Sequence, residues 1–168
     1  MNSAEPITLI RRGYNLLVRA ASSLQSPFLL AVRLYWGYAF FITGKGKLTG
    51  HDEVVKFFTT LNIPFPSLSA WLAGTTECVG GLLLLLGLAS RLTALPLIFT
   101  MLVAYATNDL DAVKAIFSDP DKFTEATPFL FLLASLIVLI FGPGVFSVDW
   151  LLARTSTASR PPHRSVFL

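Results

Sequence analysis

The sequence predicts an all-α fold, an integral membrane four-helix bundle preceded by an amphipathic N-terminal interfacial helix. Three observations predict it. Apolar residues make up 54% of the chain and charged residues only 14%, against about 25% charged in soluble domains. Four apolar stretches, 27–43, 68–88, 92–107 and 128–141, reach or approach the roughly 20 residues needed to cross a hydrocarbon layer of about 30 Å. The second stretch holds a single charged residue, Glu77, near its middle, where a carboxylate is costly and calls for a partner or a function. The chain therefore divides into an N-terminal cytoplasmic, interfacial segment (1–26), a membrane domain (27–152) and a disordered cytoplasmic tail (153–168).

Between Thr8 and Gln25, the apolar residues Leu9, Leu16, Leu17 and Leu24 alternate with Arg11, Arg12 and Arg19. This pattern predicts a helix lying in the inner headgroup layer, with a turn at Ser26-Pro27 into the first span. It contains no uninterrupted apolar core of signal-peptide length, so it is expected to be retained. In the first span Arg33, Gly37 and Gly44 share one helix face, with Lys47 just beyond and Phe40 and Phe41 between. In the second, Ala70, Gly74, Glu77, Gly80, Gly81 and Leu84 form a small-residue face of the kind that lets membrane helices approach closely. Counted from the span boundaries, Arg33 and Glu77 differ in depth by about 7 Å, a gap that two long side chains can close.

The short link 87–91 makes the second and third spans antiparallel neighbours. Pro96 is expected in the first turns of the third helix, where a missing donor is tolerated. Near its outer end, Tyr105 and Asn108 are candidates for a polar mouth, for interfacial anchoring or for helix capping. The acidic loop 109–127 is expected to hold one short surface helix, 112–117, and a turn; its spacing lacks the Gly and Glu of a calcium loop. Gly142-Pro143-Gly144 ends the fourth span, and 147–152 reads as a second interfacial piece with Trp150 at headgroup level.

Lys and Arg outside the spans number seven on one side (Arg11, Arg12, Arg19, Arg91, Arg154, Arg160, Arg164) and five on the other (Lys45, Lys47, Lys56, Lys114, Lys122). The positive-inside bias places both termini in the cytoplasm. The net charge of +3 is no sign of nucleic-acid binding in such a chain. One cysteine, Cys78, excludes a dithiol relay within a single chain; it is read as a small packing residue. Both histidines, His51 and His163, lie outside the spans, so no haem or metal site is expected.

Arg33, Gly37, Gly44, Lys47 and Leu48, then Ile63-Pro64, Glu77 with Gly80-Gly81-Leu82-Leu83, Gly87, Arg91 and Ala94, and finally Gly142-Pro143-Gly144 with Ser147 and Asp149 resemble the DoxX family of small four-helix bacterial membrane proteins. The likeness covers about residues 28–152, and the Glu-x-x-Gly-Gly block is its most specific part. Val145 departs from it, standing where many members carry a basic residue. The resemblance implies a redox-associated membrane role: one branch is a subunit of a thiosulfate:quinone oxidoreductase, and others accompany secreted peptides linked to copper handling.

Two roles for Glu77 stay open on the residues alone. A buried ion pair with Arg33, or with Lys47, would fix helix register, and its cation would favour the charged carboxylate and oppose proton carriage. Alternatively, Glu77 and Arg33 are the catalytic candidates of a quinone-linked site. Lys47, Tyr35, Trp36, Phe40, Phe41, Gly80 and Gly81 would then line the slot. The expected function is the membrane component of an oxidoreductase system. The alternatives are a non-catalytic anchor for a soluble partner or for peptide maturation, and a small transporter, though no inverted repeat is evident. Expected partners are membrane lipids, a quinone, a soluble oxidoreductase or peptide-maturation protein, and a second copy of the chain.

Overall fold

A computed structural model describes the chain from residue 5 to residue 158, and its side chains from 11 to 155. All regular structure among these residues is helical: α1 (Glu5–Thr49), α2 (His51–Thr60), α3 (Pro66–Leu86), α4 (Ser90–Thr107), α5 (Leu110–Lys114), α6 (Pro120–Glu125), α7 (Pro128–Phe141) and α8 (Val148–Ala158). α1 packs on α3, α3 on α4, α4 on α7, and α7 closes back on α1. By length and composition α3 and α4 can cross a membrane; α7 is a shorter apolar helix.

The α1–α3 contact is the tightest seam, and small residues make it so. A Cβ on Gly44 would collide with the backbone nitrogen of Cys78, and one on Gly81 with the backbone nitrogen of Phe41. At Gly37 it would lie 2.9 Å from the nitrogen of Leu85. Backbones this close gain dispersion contacts that larger side chains would prevent. The buried residues of α3 are Ala70, Gly74, Glu77, Gly80, Gly81 and Leu84, the face that the spacing predicts. Behind this seam Phe40, Leu84, Leu97, Met101 and Val138 form the apolar core, with Phe131 of α7 packed edge-on against Trp36 and Phe40.

Several expectations need correction. No turn occurs at Ser26-Pro27: α1 runs through Pro27 as one helix, because one proline removes a single donor while good helix formers on both sides carry the structure across. The 11–25 stretch therefore extends α1 beyond the bundle with its side chains exposed; Leu9 lies outside the residues whose side chains are described. The tail is helical to Ala158, so 153–158 are ordered, and the rest of the predicted disorder lies outside the described residues. The loop 109–127 holds two helices, α5 ending early at Lys114 and α6 starting at Pro120. Proline at a first helical position is preset for the helix and forfeits no bond. The first loop holds α2, which the apolar-span reading passed over.

Tyr105 is buried, donates to the Phe123 carbonyl at 2.9 Å and stacks on its ring, so it ties α6 over the end of α4 and lines no mouth. Asn108 caps α4 with its backbone nitrogen and donates to the Asp109 side chain.

The glycine seam predicts opposite outcomes for two alanine substitutions. Gly44→Ala must push α1 and α3 apart and is expected to destabilise by about 1–3 kcal/mol. Gly46→Ala meets nothing within 4 Å and is expected to stabilise by about 0.5–1 kcal/mol. Thermal unfolding in detergent, followed by circular dichroism, checks both signs.

Candidate functional site

Glu77 meets Lys47. Lys47 Nζ donates to Glu77 Oε1 as a salt bridge, the second of the two pairings that the residues left open. Helical side chains lean toward their own N-terminus. α1 and α3 are antiparallel, so Lys47, whose Cβ lies beside Gly74, leans back toward the level of Gly44. Glu77 leans toward Gly74 to meet it. The carboxylate is 1% exposed and the lysine 31%, so the acid is sealed in while its cation reaches toward the surface. Glu77 Oε2 is buried without a hydrogen-bond partner.

Arg33 is elsewhere. Its guanidinium lies beside Gly87, ten residues along α3 from Glu77, or about 15 Å. The smaller expected offset was counted from the ends of the apolar stretches, whereas the glycine contacts of α1 with α3 set the relative height of the two helices. Arg33 instead spends its donors on backbone carbonyls: Nε to Leu84 at 3.1 Å, Nη2 to Leu85 at 3.3 Å and to Phe146 at 3.0 Å, and Nη1 to Pro143. Two of these belong to the C-terminus of α3, where carbonyls lack helical partners and the helix dipole is negative. Gly87 makes room: with φ +68° it ends α3 in the left-handed region, its nitrogen bonding Leu84 O and the Leu88 nitrogen bonding Leu83 O.

Asp149 completes this polar knot from α8. Its carboxylate accepts from the nitrogens of Ala89 (2.6 Å) and Ser90 (2.9 Å), and its own nitrogen donates to Gly87 O at 3.0 Å. A carboxylate at the start of α4 caps open donors and favours the dipole. It also holds Ala89 at φ +47°, a conformation that costs a non-glycine residue about 1–2 kcal/mol. Ser147 caps α8 by accepting from the Trp150 nitrogen, and Arg91 donates to Ile140 O at the end of α7.

The slot residues do not converge. Tyr35 is 69% exposed on the outer surface of α1. Trp36 and Phe40 turn toward Phe131. Phe41 lies along Gly81 in the α1–α3 seam, while Gly80 faces Leu97 of α4. Cys78 is half-buried beside Gly44. Two shallow cavities lie away from Glu77. One, of about 360 Å³, is lined by Asn108, Asp109, Asp111, Lys122 and Glu125; the other, of about 380 Å³, by Leu86, Val145, Phe146, Trp150 and Leu151. No group of three His, Cys, Asp or Glu suited to a metal occurs among the described residues.

The structural importance of Asp149 escaped the spacing of charges. The signal was the cluster of family-like residues at 142–149, of which Ser147 and Asp149 meet the Gly87–Ser90 turn and Pro143 meets Arg33.

Two predictions separate the centres. Arg33→Met removes the side-chain donor from four carbonyls, of which Leu84 O keeps the Gly87 nitrogen, and is expected to cost about 3–5 kcal/mol, with Arg33→Lys recovering only part because lysine lacks the planar fork; thermal unfolding measures both. At the other centre, Lys47→Met leaves a buried carboxylate alone, whereas Lys47→Met with Glu77→Gln removes both charges. The double variant is expected to be the more stable, with a coupling of roughly 1–3 kcal/mol in a double-mutant cycle.

The chain is similar to three bacterial proteins over most of their lengths. It is 29% identical to "Putative oxidoreductase CatD" of Bacillus subtilis (strain 168), over 71% of this chain and 83% of that one. It is 32% identical to the uncharacterized membrane protein Rv3486 of Mycobacterium tuberculosis, over 79% and 85%. To the inner membrane protein YphA of Escherichia coli (strain K12) it is 30% identical, over 72% and 87%. No solved structure matches it. The DoxX family model matches residues 28–109, a span that contains Arg33, Lys47, Glu77 and the Gly87 turn, and with these relatives it identifies the chain as a membrane protein of the DoxX family.

Proposed function

We propose that the chain is the membrane component of an oxidoreductase system in a bacterial inner membrane, with the Lys47–Glu77 pair as its quinone-linked centre. The observation that carries this reading is the buried Glu77, which holds one oxygen on Lys47 and leaves Oε2 without a partner. Converting a quinone to a quinol takes two electrons and two protons. A soluble redox partner would supply the electrons, since the described residues contain no dithiol or metal cluster. Lys47 has three donors and spends one on Glu77, which leaves donors for a quinone carbonyl at its partly exposed end. Glu77 would relay the protons once that carbonyl draws Lys47 away. The name of the similar CatD protein points the same way.

In this reading α1, α3, α4 and α7 are the four membrane helices and both termini face the cytoplasm. The seven-to-five charge bias supports that orientation. The Arg33–Asp149 knot then lies toward the cytoplasm and Lys47 toward the outer leaflet.

A second reading, a non-catalytic anchor for a soluble partner, is favoured by the scatter of the slot residues and by the two cavities lying away from Glu77.

Purification of the full chain in mild detergent, with mass spectrometry of its extracted quinones and protein subunits, tests both. Quinone is expected with the wild type and reduced about tenfold in Lys47→Met, the loss of one charge-assisted hydrogen bond, and retained in Glu77→Gln, which keeps the lysine donors. Equal quinone in the wild type and Lys47→Met, or none in the wild type, refutes the quinone site. A stoichiometric protein partner without quinone establishes the anchor.

A further inference from the structure

α1 extends far past the helices it packs against. Its 45 residues measure about 67 Å, more than twice a hydrocarbon core of about 30 Å. Acyl chains cannot cover a straight helix of that length. The apolar residues of the outer half are ordered: Tyr14, Leu17, Ala21 and Leu24 recur at intervals of three and four. Phe28, Ala31, Tyr35, Tyr38 and Ile42 continue the same alternation into the bundle-packed half. Every one of them is exposed. Among the large apolar side chains of 11–26, only Leu16 falls off this seam and its flanks. At about 100° per residue, the seam runs along the side of α1 opposite Arg33, Gly37, Phe40 and Gly44, the residues that face the other helices.

We propose that this seam pairs with the same seam of a second copy, joining two protomers through parallel α1 helices. A strict 3.5-residue repeat is the signature of a coiled-coil seam; lipid contact imposes no repeat, and an amphipathic surface helix follows 3.6. Two copies inserted in one membrane share one orientation, so their α1 helices run parallel and the contact is a two-fold, self-complementary one.

The charges permit it. Gly13, Val18, Ala20 and Gln25 flank the seam and are neutral, and Arg12 and Arg19 lie on the far side of the helix; Arg11, seven residues before Val18, is the one charge of 11–25 on a flank, at the outer end of the stretch. The area suffices as well. Tyr14, Phe28, Tyr35 and Tyr38 are 56–69% exposed, on the order of 500 Å² together at roughly 200 Å² per ring. With Leu17, Leu24 and Ile42 the seam offers about the 800 Å² per partner of a standard stable interface.

Disulfide trapping in native membranes tests the geometry. The full chain carrying Cys78→Ser receives one further substitution, Leu17→Cys, Leu24→Cys or Arg19→Cys, and is oxidised. Linked dimers are expected from the first two and none from the third. Equal yields at all three, or none at Leu17 and Leu24, overturn the proposal. Because the substituted background can misfold, the unsubstituted chain is also sized in lipid nanodiscs. A dimer is expected, converted to monomer by Leu17→Lys with Leu24→Lys. A monomeric unsubstituted chain, as when residues 11–25 lie on the membrane surface, overturns the proposal, and so does a dimer that survives the two lysines.

Discussion

The backbone contact of α1 with α3 decides most of what this molecule can do. Gly44 sits against the backbone of Cys78, and Gly81 against Phe41 and Gly37. With no side chain to act as a spacer, the helices fit at one relative height. A slip of one turn would drive bulkier residues into the gaps, at a cost typical of overpacked cores. That single register brings Lys47 within reach of Glu77 and sets Arg33 at the end of α3. The two polar centres are thus consequences of one glycine-lined contact.

The centres have opposite characters. Arg33 makes four hydrogen bonds to carbonyls from α3 and the α7–α8 linker, and Asp149 ties the adjoining turn to α8. A guanidinium whose three nitrogens are all bonded is held rigidly and suits a structural role. Glu77 by contrast is buried with one oxygen bonded and one idle. A half-used carboxylate sealed among helices is a poor structural investment, because burial costs free energy that hydrogen bonds must offset. That imbalance draws functional attention to Glu77 and away from Arg33.

α1 serves two surfaces. One side carries Arg33, Gly37, Phe40 and Gly44 into the helix ring, and the other presents an unbroken apolar line from Tyr14 to Ile42. The continuity of the helix through Pro27 joins both surfaces on one element.

Much of this architecture was legible in the residues. Apolar length located α3, α4 and α7 to within a few positions, and the spacing of small residues identified the buried face of α3, because periodicity reports directly which side of a helix avoids water. The demand that Glu77 find a cation followed from the energetics of a lone charge. Its choice of Lys47 over Arg33 did not, since that depends on the relative height of two helices 30 residues apart, which only backbone packing sets. The capping roles of Arg33 and Asp149 likewise required the ends of α3, α4, α7 and α8 to be brought together. Local propensity carries no information about carbonyls and amides left open at distant helix ends, so only the tertiary structure could assign their partners.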